Sequence, residues 1–119
     1  DLTPRDPADV EALARDVEGM LLATGSVRVP AGTKVAGLPG YGDGRFWVQD
    51  AAAAIPARLL GDVRGKRVFD LCAAPGGKTM QLASAGADVV AVDDSGDRLK
   101  RVAENLARTR LTALTVKAD

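Results

Sequence analysis

From residue 49 onward the apolar positions keep a steady rhythm. "DVVAVD", residues 88–93, is a short apolar run of the kind expected for a strand buried on both faces. "KRVFDL", residues 66–71, reads as another strand, and "ALTVKAD", residues 113–119, as a third. Between the first two lies "GGKTMQLASAG", a turn and a short helix ended by Gly86. Between the second and third, residues 94–109 set Leu99, Val102, Ala103 and Leu106 on one side of a helix. Asp94 or Ser95 caps it, and Arg108 and Arg110 sit at its negative end. Strands alternating with helices predict a parallel sheet with right-handed crossovers, here a βαβαβ unit.

Ahead of it the pattern is looser. Asp6, Pro7 and Asp9 form a helix start, Val10, Leu13, Ala14 and Val17 form its apolar stripe, and Gly19 ends it. An extended piece over Val27 to Val29 follows. "PAGTKVAGLPGYGDG", dense in glycine and proline, is a loop. Asp50 then caps a helix over residues 51–60, in which Pro56 costs a backbone bond and introduces a kink.

Composition narrows the chemistry. The 119 residues suit one small domain, and 46% apolar content is that of a folded chain. Net charge is zero, so no overall field draws the chain to nucleic acid or membrane. The bases are weighted to the second part: residues 51–119 hold 11 against 8 acids, residues 1–50 hold 5 against 8. A solvated helix face explains that asymmetry as well as RNA does. A single cysteine, Cys72, forbids an internal disulfide and fits a reducing, cytoplasmic setting. No run is long enough for a membrane span, and no signal peptide is visible. The absence of histidine excludes a Ser-His-Asp triad within this chain and removes the commonest zinc ligand. No metal is expected.

In a parallel sheet of this kind ligands sit at the carboxyl ends of the strands. Three features fall there: the turn Cys72 to Lys78, then Asp93, then Asp119. "DLCAAPGGKT", residues 70–79, ends like a phosphate-binding loop. That motif is G-x-x-x-x-G-K-[ST], and aligned on Gly77-Lys78-Thr79 it would need glycine where Cys72 stands. The Pro75-Gly76-Gly77 turn is also too compact to wrap two phosphates. The G-x-G-x-x-G of a dinucleotide site is absent too. What remains is a close-approach glycine turn, a ribose acid and an adenine-edge acceptor in that order, which suits an adenosine cofactor without pyrophosphate, such as S-adenosyl-L-methionine.

The wording itself points further. "FWVQD", then "VFDLCAAPGGKT", then "VVAVDDSGDRLKRVAENLARTRL" together resemble the Sun/Fmu family of RNA (cytosine-5)-methyltransferases over residues 40–119. The segment from "DLTPRDP" to "TGSVRV" resembles, less closely, the small α/β RNA-contacting region ahead of their catalytic domain. The resemblance implies a Rossmann-like class I methyltransferase fold, cut to its βαβαβ half over residues 49–119 and preceded by a small α/β region over residues 1–48. It implies that Cys72, Ala73, Ala74, Pro75, Gly76, Gly77 and Lys78 contact S-adenosyl-L-methionine. It further implies that Asp93 holds the ribose, that Arg98 lies beside the pocket, that Asp119 faces adenine, and that Gln49-Asp50 orders the entrance. The expected substrate is RNA, ribosomal ahead of transfer RNA, and the intact enzyme is expected to be a monomer. In this family the nucleophilic cysteine and a second cysteine in a Pro-Cys element lie beyond the third strand, so no catalytic residue is assigned in this chain. The rival functions are a non-catalytic RNA-binding module on the same fold and a nucleotide triphosphatase.

Other residues have plainer expectations. Cys72 fills the turn behind the cofactor, Asp70 bonds the turn's backbone, Lys78 starts a helix or orders a loop, and Lys100, Arg101 and Arg108 are surface bases. Phe46 and Trp47 pack against the following helix or stack on RNA bases. A sheet ordered 3-2-1 leaves its first strand, residues 67–71, open at the edge with apolar surface uncovered.

Overall fold

The computed structural model describes residues 1–119. A leading sheet holds β1 (Leu2–Pro4), β2 (Met20–Leu21), β3 (Val27–Arg28) and β4 (Phe46–Val48), in the order β2-β3-β1-β4. All its pairings are antiparallel, with Leu2 opposite both Val27 and Val48. Of these strands only β3 is foreshadowed by the sequence pattern. Helix α1 (Val10–Asp16) follows a 3-10 turn whose start is capped by Asp6, which accepts from the Ala8 amide at 2.9 Å. Its stripe of Leu13, Ala14 and Val17 closes a core with Leu2, Val27 and Phe46. The left-handed residue ending this helix is Glu18, not Gly19. Gly19 is required for space, since a β-carbon there would run into the Val27 side chain.

The predicted helix over 51–60 is divided. A 3-10 turn, Ala52–Ala54, is capped by the Asp50 carboxylate on the Ala52 amide at 2.7 Å. A one-turn α2 (Ile55–Arg58) follows, with Pro56 in its first turn, where the missing N–H costs nothing.

The second sheet holds β5 (Arg67–Asp70), β6 (Asp88–Asp93) and β7 (Leu114–Lys117), all parallel, in the order β5-β6-β7. Helices α3 (Gly77–Ser84) and α4 (Gly96–Thr109) both lie on one face, as right-handed crossovers dictate. Leu82 packs with Val89 and Val68, while Leu99, Val102 and Leu106 pack with Ala91. The α4 cap is Ser95, which accepts from the Arg98 amide, rather than Asp94. Ala103, expected on the apolar side, is exposed.

Arg108 is not an ordinary surface base. Its Nη1 donates to the carbonyls of Tyr41 (2.8 Å) and Phe46 (2.9 Å), and its guanidinium lies 4.1 Å from the centre of the Tyr41 ring. Arg5 Nη1 donates to the Thr109 carbonyl, so the end of α4 is bonded to the leading sheet from two sides. Gly44 has positive φ, and a β-carbon on it would overlap the Arg108 carbonyl oxygen. Phe46 and Trp47 are 0% and 1% exposed, which removes base stacking. Phe46 belongs to the leading core, and Trp47 packs with Met80, Leu99 and Val102 rather than with α2.

Candidate functional site

The turn after β5 is fixed from several directions. The Ala73 amide donates to the Val92 carbonyl at 3.0 Å, and the Gly76 amide donates back to Ala73 at 2.6 Å. Asn105, from α4, donates to the Pro75 carbonyl at 3.0 Å. Gly76 has φ +106°, a left-handed geometry that favours glycine, and its α-carbon sits against Val102. Gly77 faces Gln49, whose Cγ and Cδ lie 3.4 Å from where a β-carbon would stand, an ordinary packing distance.

Behind the turn, Thr79 Oγ1 donates to Asp70 Oδ2 at 2.7 Å, and Thr79 is fully buried. Asp70 therefore bonds a side chain, not the turn's backbone as expected. In a phosphate-binding loop this hydroxyl would face a nucleotide-bound cation. Here it points back into the protein, which removes the triphosphate reading on geometry as well as on wording.

Asp93 closes β6 and is 3% exposed. Its Oδ2 accepts from the Ala74 amide at 3.1 Å, and its Oδ1 accepts from the Ser95 amide at 3.2 Å and faces Arg98 Nη1 at 3.5 Å. Burial alone would raise its pKa; the Ala74 and Ser95 amides and the Arg98 charge outweigh this and hold it below the ordinary 3.8. Asp93 thus anchors both the glycine turn and the start of α4.

A cavity of about 250 Å³ opens beside the turn. Its walls include Cys72, Ala73, Ala74, Pro75, Gly77 and Lys78, together with Val48, Gln49, Asp50, Ala53 and Asp70. Six of the ten predicted site residues therefore line one space. Gly76 lies beneath it. Asp93 and Arg98 adjoin it through the Ala74 bond but do not line it, and exposed Asp119 lies past the end of β7. Cys72 is exposed on the wall rather than filling space behind it. A larger cleft of about 630 Å³ lies past the other end of α3, between Thr24, Arg58 and Ser84. Arg58 is the one charged residue among its walls, so no set of reactive groups converges there, and the smaller cavity is the better candidate.

Sequence reasoning misses three residues that build this site. Thr79, Gln81 and Asn105 act through side-chain bonds that no local pattern announces. No group of three or more potential metal-ligating side chains comes together, and no helix is long and apolar enough to cross a membrane.

A parallel sheet with this turn after its first strand and an acid closing its second is the front of a Rossmann-like methyltransferase fold. A methyltransferase homologue from Pyrococcus horikoshii superposes with a TM-score of 0.81 at 20% identity, covering 99% of this chain and 43% of that one. NSun6 from Pyrococcus horikoshii, crystallised with SFG, superposes with a TM-score of 0.62 at 28% identity, covering 79% of this chain and 27% of that one. The family model of the 16S rRNA methyltransferase RsmB/F matches residues 57–119, and the chain belongs to that family. Ribosomal RNA small subunit methyltransferase B from Serratia proteamaculans is 48% identical over 96 residues, 79% of this chain and 22% of that protein. Its counterpart from Pseudomonas putida is 50% identical over 88 residues, 71% of this chain and 20% of that protein. The resemblance drawn from "DLCAAPGGKT" is thereby borne out. The chain spans about a fifth of the length of the curated relatives it matches.

Proposed function

We propose that this chain is the S-adenosyl-L-methionine-binding front of an RNA (cytosine-5)-methyltransferase acting on ribosomal RNA in the cytoplasm. The observation that carries the proposal is the turn itself: Cys72, Ala73, Ala74, Pro75, Gly77 and Lys78, residues that the family wording assigns to the cofactor, line one cavity. The donor set suits an adenosine cofactor, with glycine backbone for close approach and carboxylates rather than a basic phosphate cradle. When bound, S-adenosyl-L-methionine supplies the methyl group. Cys72 to Lys78 form its floor. Asp93 offers the ribose the lone pairs its backbone donors leave, Arg98 lies against the Asp93 carboxylate, and Asp119 serves the adenine edge.

The cavity, at about 250 Å³, falls below the roughly 300–1,000 Å³ of typical ligand sites. It supports a site completed by residues outside this chain, where the family's reactive cysteines are placed. The leading region, residues 1–48, is proposed to contact RNA, and residues 49–119 to form the cofactor half.

The test is a thermal-shift titration of the full-length protein that carries this chain, with S-adenosylhomocysteine and separately with Mg-ATP. A ligand at a hundredfold excess over its Kd stabilises by roughly 2.7 kcal/mol. The expected result is a shift with S-adenosylhomocysteine alone, lost in Asp93→Ala. A shift with Mg-ATP alone would overturn the proposal.

A further inference from the structure

The amide of Gln49 is the centre of a relay whose direction is set from both ends. Gln49 is 6% exposed. Its Oε1 accepts from Trp47 Nε1 at 2.9 Å and from Thr3 Oγ1 at 3.1 Å. An indole N–H only donates, so the Gln49 atom facing it is the oxygen. Gln49 Nε2 therefore points away and donates to Gln81 Oε1 at 3.0 Å. Gln81 Nε2 in turn donates to the Ala54 carbonyl at 2.9 Å, a group that only accepts. A donor-only group at one end and an acceptor-only group at the other leave a single orientation for both amides.

The relay crosses the molecule at the glycine turn. Thr3 and Trp47 belong to the leading sheet, and Gln81 lies one helical turn beyond Gly77 on the same face of α3. The Gln49 stem lies over the side of Gly77 where a β-carbon would stand, while its head holds the next turn of that helix. Both contacts fix the start of α3, from which the turn hangs.

We infer that Gln49 and Gln81 are positioning residues for the cofactor turn: their polar relay ties that turn to the leading sheet, so cofactor affinity depends on the relay's donor–acceptor order. This rests on the proposed cofactor site. Neither residue need touch the methyl donor for the effect to appear.

The order gives a test that simple packing would not mimic. Gln49→Glu keeps the acceptor toward Trp47 but has no proton for Gln81. Gln81→Lys donates toward Ala54 but meets the Gln49 donor. Together they restore an unbroken order, because the introduced ammonium donates both to the introduced carboxylate and to the Ala54 carbonyl. Affinity for S-adenosylhomocysteine is measured by calorimetry on the full-length protein, well below each variant's melting temperature. Each single change is expected to raise Kd about tenfold, the cost of one lost hydrogen bond. The double variant is expected to return to within about threefold of wild type, the coupling that bonded neighbours display. Single variants that bind like wild type, or a double variant no better than the worse single, would overturn the inference. If Gln49→Glu fails to fold, Gln81→Lys and the double variant carry the same comparison. No binding by wild type would instead sink the cofactor site itself, and the inference with it.

Discussion

Thr79 Oγ1 and Asp70 Oδ2 meet at 2.7 Å beneath the glycine turn, nine residues apart in sequence, on α3 and β5 respectively. The bond ties the first turn of the helix to the end of the strand and turns Thr79 away from the cavity, which Gly77 and Lys78 line. Thr79→Val keeps the shape but removes the donor, leaving Asp70 without that partner. The expected loss is about 1–3 kcal/mol, with Thr79→Ser closer to wild type. Chemical denaturation of the three proteins checks it; equal stability of the valine and wild-type forms would mean that the bond contributes nothing.

Arg108 is expected to behave unlike its helical neighbour Arg101. Arg108→Met preserves the aliphatic stem but loses two carbonyl bonds and the stack on Tyr41. Hydrogen bonds from a charged donor are worth about 1.5–3 kcal/mol each, and a loss of at least that size is expected. Arg101→Met, on the exposed face, should stay within about 0.5 kcal/mol. Parallel melting curves decide it. Equal effects would return Arg108 to the surface bases.

Acid sensitivity should appear below the ordinary aspartate range. The Arg45 guanidinium bonds Asp9 and lowers its pKa against an opposing burial effect, and Asp93 is held low by its amide donors and Arg98 despite its own burial. Both groups bind protons more weakly folded than unfolded. Their contribution is therefore fully present above the ordinary value of 3.8 and is lost as pH falls through the lowered folded values. The melting temperature of wild type should fall below about pH 4 more steeply than that of Asp9→Asn, which lacks one of these protonations. Parallel acid limbs would refute the assignment of Asp9.

The parts of this fold that could be read in advance are those with a period. The stripe of Leu99, Val102 and Leu106 repeats often enough to declare a helix, and the run at 88–93 declares a strand by its shortness and its valines. Strands β1, β2 and β4 span two or three residues, too few to display alternation, and they become strands by pairing across the leading sheet. The glycine turn was legible through its wording. Its support was not, because Gln49 meets Gln81 across 32 residues and Asn105 meets Pro75 across 30. Such bonds depend on where the chain returns in space, and residue type records only that a donor or acceptor is available. Asp93 shows the same division: its place at a strand end follows from sequence, whereas the capture of its oxygens by Ala74 and Ser95 requires the folded turn.

The second sheet leaves large apolar side chains exposed on one face, at its two outer strands. Phe69, Val90 and Leu114 form a row across β5, β6 and β7, on the side opposite α3 and α4. Phe69 is 58% exposed, Leu114 61%, and Leu71, two residues beyond Phe69, 69%. The edge of β5 is open as well, as expected from the 3-2-1 order. An apolar face beside an open parallel edge is a surface that monomers rarely keep in water. The isolated 119-residue chain is therefore expected to self-associate as its concentration rises and to bind an apolar dye. Phe69→Thr with Leu114→Thr should reduce both, since threonine suits a strand but removes most of the apolar area. Light scattering across a dilution series reads the outcome. A monodisperse wild-type monomer with no dye binding would mean that the face is covered by a rearrangement of this chain itself, and would count against a sheet that further strands and helices complete.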